Sequence, residues 1–421
     1  MGGEVACIII GAGQAGLATS RELYKQGIDH LILERGEVAN TWKTERWESL
    51  RLLSPNRHCQ LPDRAYNGED PNGFMGVTEL VGFLEDYAQQ IDAPVVTGTT
   101  VLSVTATMSG YKVVTDRGVW HCRTVVIASG CYNIPVTPRY AQDIPDSVAC
   151  ISSHEYRNPG ELADGGVLVV GASATGLQIA REIHNSGRSV TVCVGEHVRL
   201  PRRYRGRDIF HWMDVLGLLD EGYQEVDDIH RARRVPSAQL VGSSDNGDLD
   251  LNTLRREGVQ LVGRLAGVHN GTLQFSGALA NVCKMGDLKM NRLLQSIDDW
   301  IVAGNFQKRF LPGEDFVATD PGDDPRLSWD LAHGEIKTIV WACGFRPDYS
   351  WLKVPVLDRR GRLCHDGGVT PSPGLYAMGL PFMRRRKSSF IYGVSDDARD
   401  ISAHLSSYLA QAQQKRSVFA G

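Results

Sequence analysis

No two of the nine cysteines stand in a C-x-x-C pair, which removes both the usual zinc spacing and the usual redox dithiol. They are scattered at Cys7, Cys59, Cys122, Cys131, Cys150, Cys193, Cys283, Cys343 and Cys364. An odd number fits reduced thiols, and several fall in predicted strands as small core residues. Long apolar runs are also missing. Stretches such as Ala6 to Ile10 are far too short to span a bilayer, so no membrane partner is expected. Neither sign of charge dominates, with a formal net charge of −4. Nucleic acid would favour a strongly basic surface and is not expected as a partner. The chain opens directly on a strand pattern, without the basic region, apolar core and cleavage site of a signal peptide. A cytoplasmic location is expected. There is no low-complexity segment and no short solenoid repeat.

Glycine, by contrast, is abundant, at 45 residues in 421. Nucleotide-binding folds use many tight turns and close backbone approaches, and glycine permits both. The length suffices for two or three domains.

Val5 to Ile10 reads V-A-C-I-I-I, a buried parallel strand. Gly11-Ala12-Gly13-Gln14-Ala15-Gly16 follows, then a helix from Leu17 to Gln26, then a strand from His30 to Leu33 ending at Glu34. This is the strand, glycine turn, helix and strand of a Rossmann unit. Gly11 permits the bend, Gly13 lets the backbone approach a pyrophosphate, and Gly16 lets the helix pack close. The helix N-terminus offers free N–H groups to that pyrophosphate. Glu34 lies roughly 20 residues on, where a carboxylate accepts from ribose hydroxyls. FAD is the expected ligand of this turn.

The same pattern returns. Val167 to Val170 is a strand, Gly171-Ala172-Ser173-Ala174-Thr175-Gly176 a turn, Leu177 to Asn185 a helix, and Val190 to Val194 the next strand. One such fingerprint is weak; two full copies in the right setting are strong. Gly171, Ser173, Ala174, Thr175 and Gly176 are the candidate contacts to a second nucleotide. The position matching Glu34 is Val194, which cannot hold a 2′-hydroxyl or repel a 2′-phosphate. Arg199, Arg202 and Arg203 follow, and arginine suits a bidentate phosphate contact. NADPH is the expected second ligand, although Glu196 is an awkward neighbour for a phosphate.

Two further strands share an ending. Val125-Val126-Ile127 runs into Ala128-Ser129-Gly130, and Ile339-Val340-Trp341 runs into Ala342-Cys343-Gly344-Phe345. They mark where the chain crosses between nucleotide domains. The expected fold class is α/β, two Rossmann-like nucleotide-binding domains with the NAD(P) domain inserted into the FAD domain. The expected boundaries are 1–150 for the first FAD segment, 151–347 for the NADPH domain and 348–421 for the returning FAD segment. Within 199–325 the pattern is weaker. Leu288 to Ile301 reads as an amphipathic helix and 242–247 as an exposed polar turn. Arg384 to Lys387 reads as a solvated basic loop or an electrostatic gate. A capped helix follows from Ser395, with Asp396 and Asp397 near its start.

On these residues the chain resembles the class B flavin-dependent monooxygenases. The resemblance rests on Gly11 to Gly16 with Glu34-Arg35, on Gly171 to Gly176, on Ala342 to Phe345, and on Thr41-Trp42 followed by Trp47 to Pro55. It covers nearly the whole chain. It implies FAD contacts at Arg35, Trp42, Arg51, Ser54 and Val101, with Ala128, Ser129, Gly130, Ala342, Cys343 and Gly344 beside the cofactors. It implies NADPH at the interface of two Rossmann-like domains. The departures are Cys343 where the family has threonine, and a degenerate F-x-G-x-x-x-H-x-x-x-Y/F signature. If Tyr156 holds its aromatic position, Ser152 stands for the histidine; if His154 holds the histidine position, Asn158 stands for the aromatic.

The resemblance implies that NADPH reduces FAD and that a C4a-hydroperoxyflavin then transfers one oxygen atom from O2 to a nitrogen or sulfur centre of a small molecule. The cofactor supplies the reactivity; the protein supplies position and a dry cavity. Asn56 and His58 are the candidate catalytic side chains, each with a plainer reading as a turn residue and a packed histidine. No metal site is expected, and a homodimer stays open. The rival readings are an NAD(P)H oxidase or flavin reductase releasing hydrogen peroxide, and a pyridine nucleotide–disulfide reductase, which the missing dithiol disfavours.

Overall fold

The computed structural model describes residues 2–243 and 247–419, so the middle of the polar turn at 242–247 lies outside the described residues. The first sheet begins with β1 (Gly3–Ile10), whose inner residues Cys7 to Ile9 are wholly buried. A strand covered on both faces needs this unbroken apolar run. α1 (Gln14–Lys25) carries the chain back to β2 (His30–Leu33), parallel to β1. The short helix α2 (Asn40–Thr44) and the longer α3 (Val77–Gln90) precede β3 (Val95–Val96). β4 (Val101–Thr107), β5 (Gly110–Thr115) and β6 (Gly118–Ile127) form an antiparallel meander, and β6 closes back parallel to β1. The order is β3-β2-β1-β6-β5-β4, with strand Leu375–Ala377 returning to pair with the end of β6.

β7 (Ile134–Pro135) leads to β8 (Ala149–Ser152), the first strand of a second sheet. β9 (Gly166–Val170), α4 (Ala174–Asn185) and β10 (Val190–Val194) repeat the opening unit. Strand Gln260–Gly263 lies outside β10, and strand Ile336–Trp341 fits between β9 and β8. All five strands run parallel. Outward from each glycine turn, the two sheets place their strands in the same order, as the sequence repeat requires. Each sheet has an apolar cluster on both faces.

The expected crossing points are chain crossings. The N–H of Ala128 bonds the carbonyl of Ile10 at 2.9 Å, and the N–H of Ala342 bonds that of Val170 at 2.9 Å. Beyond them, β7 and strand Phe345–Arg346 pair antiparallel, so the two passages between sheets support each other.

The weakly patterned region builds a fifth apolar cluster. α5 (Ile209–Val215) and helix Leu279–Ala303 bury Trp212 against Met290, Leu294, Ile297 and Ile301. The helix expected at Leu288 to Ile301 therefore starts nine residues earlier, and its buried side recurs at three- and four-residue steps. The basic run is neither a free loop nor a gate. Arg384 pairs with Asp400, Arg385 with Asp397 and Asp400, Arg386 with Glu221, and Lys387 with Asp220 and Asp396. These pairs join the last helix (Val394–Phe419) to the turn after α5. No helix among the described residues is long and apolar enough to cross a membrane.

Candidate nucleotide sites and the junction between them

In the first turn Gly11 has φ +108°, and a Cβ there would lie 2.5 Å from the carbonyl oxygen of Ala128. At Gly16 a Cβ would lie 1.9 Å from the oxygen of Gly11. Both positions are closed by backbone. Gly13 differs: a Cβ there would meet nothing within 4 Å. Gly13 caps α1 without a side-chain bond, so the first N–H groups of the helix have no capping side-chain acceptor. Glu34 is buried, its carboxylate accepting from the N–H of Ala12 at 2.8 Å and of Gly36 at 3.0 Å. Ser129 Oγ is buried without a partner beside Gly130. An open approach, an uncapped helix N-terminus, an acid at the end of β2 and an orphaned hydroxyl fit a dinucleotide such as FAD.

The second turn repeats this geometry. Gly171 has φ +127°, with a Cβ position 2.3 Å from the oxygen of Ala342, and Gly176 meets the oxygen of Gly171 at 1.9 Å. Ser173 takes the place of Gly13 and leaves α4 uncapped, ahead of Ala174 and Thr175. Cys343 lies against the carbonyl of Val170, its thiol pushed up to about 11 by burial. Gln239, which no motif marks, donates from Nε2 to Ala172 O at 2.8 Å and keeps a buried, unpartnered Oε1 beside the turn.

The other expected FAD contacts fall in separate local settings. The N–H of Ala39, at the start of α2, bonds Ala12 O at 3.1 Å. This seats half-buried Trp42 close by, with the Arg46 guanidinium 5.3 Å from its ring. Arg35 is ion-paired with Glu45. Arg51 donates to Phe74 O at 2.8 Å, and Ser54 is half-buried. Val101 opens β4 two residues past Thr99, whose N–H bonds Glu34 O at 2.8 Å.

Arg199, Arg202 and Asn56 are committed within the fold. Arg199 is buried and fully spent: it contacts Asp250 at 2.8 and 3.0 Å, Asp287 at 2.7 Å and Val317 O at 2.9 Å. Arg202 is 1% exposed, bound to Leu53 O and Asp208 at 2.7 Å each and held between the rings of Phe74 and Phe210. Two buried cations already matched by carboxylates are structural, not phosphate ligands. Arg203 is exposed, on a hairpin where it donates to Gly206 O. Asn56 is likewise committed, its Oδ1 accepting from Met75 N at 2.7 Å and its Nδ2 donating to Asp70 O at 2.9 Å. It holds the loop, as its plainer reading has it.

His58 is buried, with Nε2 2.8 Å from Asp214 of α5, its ring stacked 4.6 Å from Tyr392, and Nδ1 without a partner. The structure thus sets it between the 50s loop, α5 and the returning segment. Of the two registers for the degenerate signature, it brings His154 to the junction. His154 stacks on Phe345 at 4.5 Å, and its Nε2 lies 3.5 Å from Arg46. Burial, then Arg46, Arg157 and Arg35, lower His154 to about 4. Ser152 instead ends β8, and Tyr156 is buried with its hydroxyl on Glu182 at 2.8 Å. Arg46 was missed because only the folded chain sets it beside His154 and Trp42.

Two sheets, one mixed and one wholly parallel, each with a glycine turn opening onto an uncapped helix, define a two-site nucleotide-dependent oxidoreductase. The profile of the pyridine nucleotide-disulphide oxidoreductase family matches residues 8–206. An uncharacterized CzcO-like oxidoreductase of Geobacillus kaustophilus is 31% identical over 94% of this chain and 96% of its own. The indole-3-pyruvate monooxygenase YUCCA6 of Arabidopsis thaliana is 30% identical over 48% of this chain and 51% of its own. The solved flavin-containing monooxygenase of Stenotrophomonas maltophilia superposes with a TM-score of 0.66 at 19% identity, covering 96% of this chain and 99% of that one. The chain belongs to the family of CzcO-like oxidoreductases, and it shares the fold of the solved flavin-containing monooxygenase.

Proposed function

We propose that this protein transfers one atom of O2 to a nitrogen or sulfur centre of a small molecule, with FAD at the turn 11–16 and NADPH at the turn 171–176. The observation that carries the reading is the pair of matched turns joined by the paired crossing strands. Residues 1–150 and 348–421 frame the FAD site in this reading, and 151–347 the NADPH site. That β8 already pairs in the second sheet supports a changeover near 148. When bound and reduced, FAD supplies the oxygen chemistry, through a C4a-hydroperoxyflavin.

The chain's own residues bind and orient. Uncapped N–H groups of α1 and α4 receive the pyrophosphates. Glu34 takes the FAD ribose, exchanging its two backbone N–H partners for hydroxyls. Gln239 Oε1 accepts from the second nucleotide. Trp42, Phe345 and neutral His154 wall the junction and keep water out.

The test is to mix NADPH-reduced enzyme with oxygen and amine or sulfide substrates, and to measure oxygenated product and hydrogen peroxide together. Product close to one equivalent per NADPH is expected. Peroxide equal to all NADPH consumed, whatever substrate is offered, overturns the reading in favour of an oxidase.

A further inference from the structure

The duplicated architecture provides an internal comparison for the second nucleotide site. In the first sheet Ile10, Leu33 and Val96 stand in register across β1, β2 and β3. In the second sheet Val170, Cys193 and Val262 stand in register across the corresponding strands. Ile10 and Val170 immediately precede the two glycine turns, so the positions match one to one. One residue further on, Glu34 matches Val194. Two residues beyond Val96 is Gly98, and its match beyond Val262 is Arg264. A carboxylate with a glycine has become a valine with an arginine.

The surroundings agree with that exchange of charge. Val194 is wholly buried and offers no acceptor. Gly195 follows it, and the Cγ and Cδ of Arg264 lie 3.8 Å from where its Cβ would be. The arginine stem therefore lies across the end of β10, over a residue with no side chain to obstruct it. Arg264 is exposed and forms no ion pair among the described residues. Glu196, next to Gly195 in the chain, is drawn off by Lys289 at 3.0 Å. Of the arginines that follow Val194, Arg199 and Arg202 are spent in ion pairs and Arg203 donates to Gly206 O.

We propose that Arg264 is the cation that receives the 2′-phosphate of NADPH and so sets the preference for NADPH over NADH. The proposal rests on the reading of 171–176 as the NADPH site. A guanidinium beside the end of the second strand can bind a phosphate bidentately, where a carboxylate would repel it.

The test is calorimetric binding of adenosine 2′,5′-bisphosphate and of adenosine 5′-monophosphate to the flavin-loaded, full-length protein at low ionic strength. The unmodified protein is expected to bind the bisphosphate more tightly. Arg264→Ala should weaken the bisphosphate about tenfold, the worth of one charged contact, and leave the monophosphate unchanged. Arg264→Lys should restore part of the loss, and Arg203→Ala should change neither. Retention of the flavin spectrum shows that each variant is folded. If the unmodified protein binds both nucleotides equally, the NADPH reading itself falls. If it discriminates and Arg264→Ala still does, or loses both ligands alike, the assignment of Arg264 falls and the NADPH reading stands.

Discussion

Three glycines of one motif have different physical duties, and single substitutions separate them. Gly11 and Gly16 are closed in by backbone, whereas Gly13 faces space that the protein leaves open. Gly13→Val should therefore fold normally and emerge without flavin, its side chain filling the approach of the pyrophosphate. Absorbance of the purified variant checks this, and a folded yellow protein would contradict it. Gly16→Ala should instead lower stability by about 1–3 kcal/mol, because its Cβ is forced onto a backbone oxygen that cannot rotate away. The glycine spacing made these roles legible in advance. The roles of Arg199 and Arg202 were not legible, because Asp250 and Asp287 lie 51 and 88 residues from the first and Leu53 lies 149 residues from the second.

At the scale of elements, the turn after β8 sets a histidine against the crossing strand Phe345–Arg346. Burial first, and the nearby arginines second, hold His154 at about 4, below its ordinary 6.5. A histidine depressed in the folded state stabilises least where it must be charged. Its contribution is whole above pH 6.5 and is lost as pH falls from 6.5 towards 4, by on the order of 2–3 kcal/mol. Thermal melts across pH 4–7 should show this loss, and His154→Gln should flatten the profile between pH 6.5 and 4. An unchanged slope in the variant would assign the acid sensitivity elsewhere. The sequence left two registers open here, since the spacing of the signature does not say which residue after β8 meets Phe345.

Across the whole molecule, the run from Arg384 to Lys387 ties the last helix to the turn after α5. Its pairs differ in burial, and that decides their worth. Asp397 is wholly buried beneath Arg385, while Arg386 and Glu221 are each about one-third exposed. Arg385→Ala leaves a buried carboxylate without its cation and should cost on the order of 3 kcal/mol. Arg386→Ala removes a solvent-screened pair and should cost less than about 1 kcal/mol. Chemical denaturation of both variants tests this; equal losses would contradict the burial argument.

The sequence by itself determined both glycine turns, the strands and helices flanking them, the crossing segments and the α/β class. These depend on neighbours a few residues apart: alternation of apolar residues, turn glycines and helix caps are short-range. What the tertiary structure alone decided was which charges are spent. Arg199 is consumed by carboxylates 51 and 88 residues away, while Arg264 stands just past strand Gln260–Gly263, which no nucleotide motif contains. A guanidinium looks the same in any sequence; only through-space proximity to Asp250 and Asp287, or to an open Gly195, decides whether it supports the fold or faces a ligand.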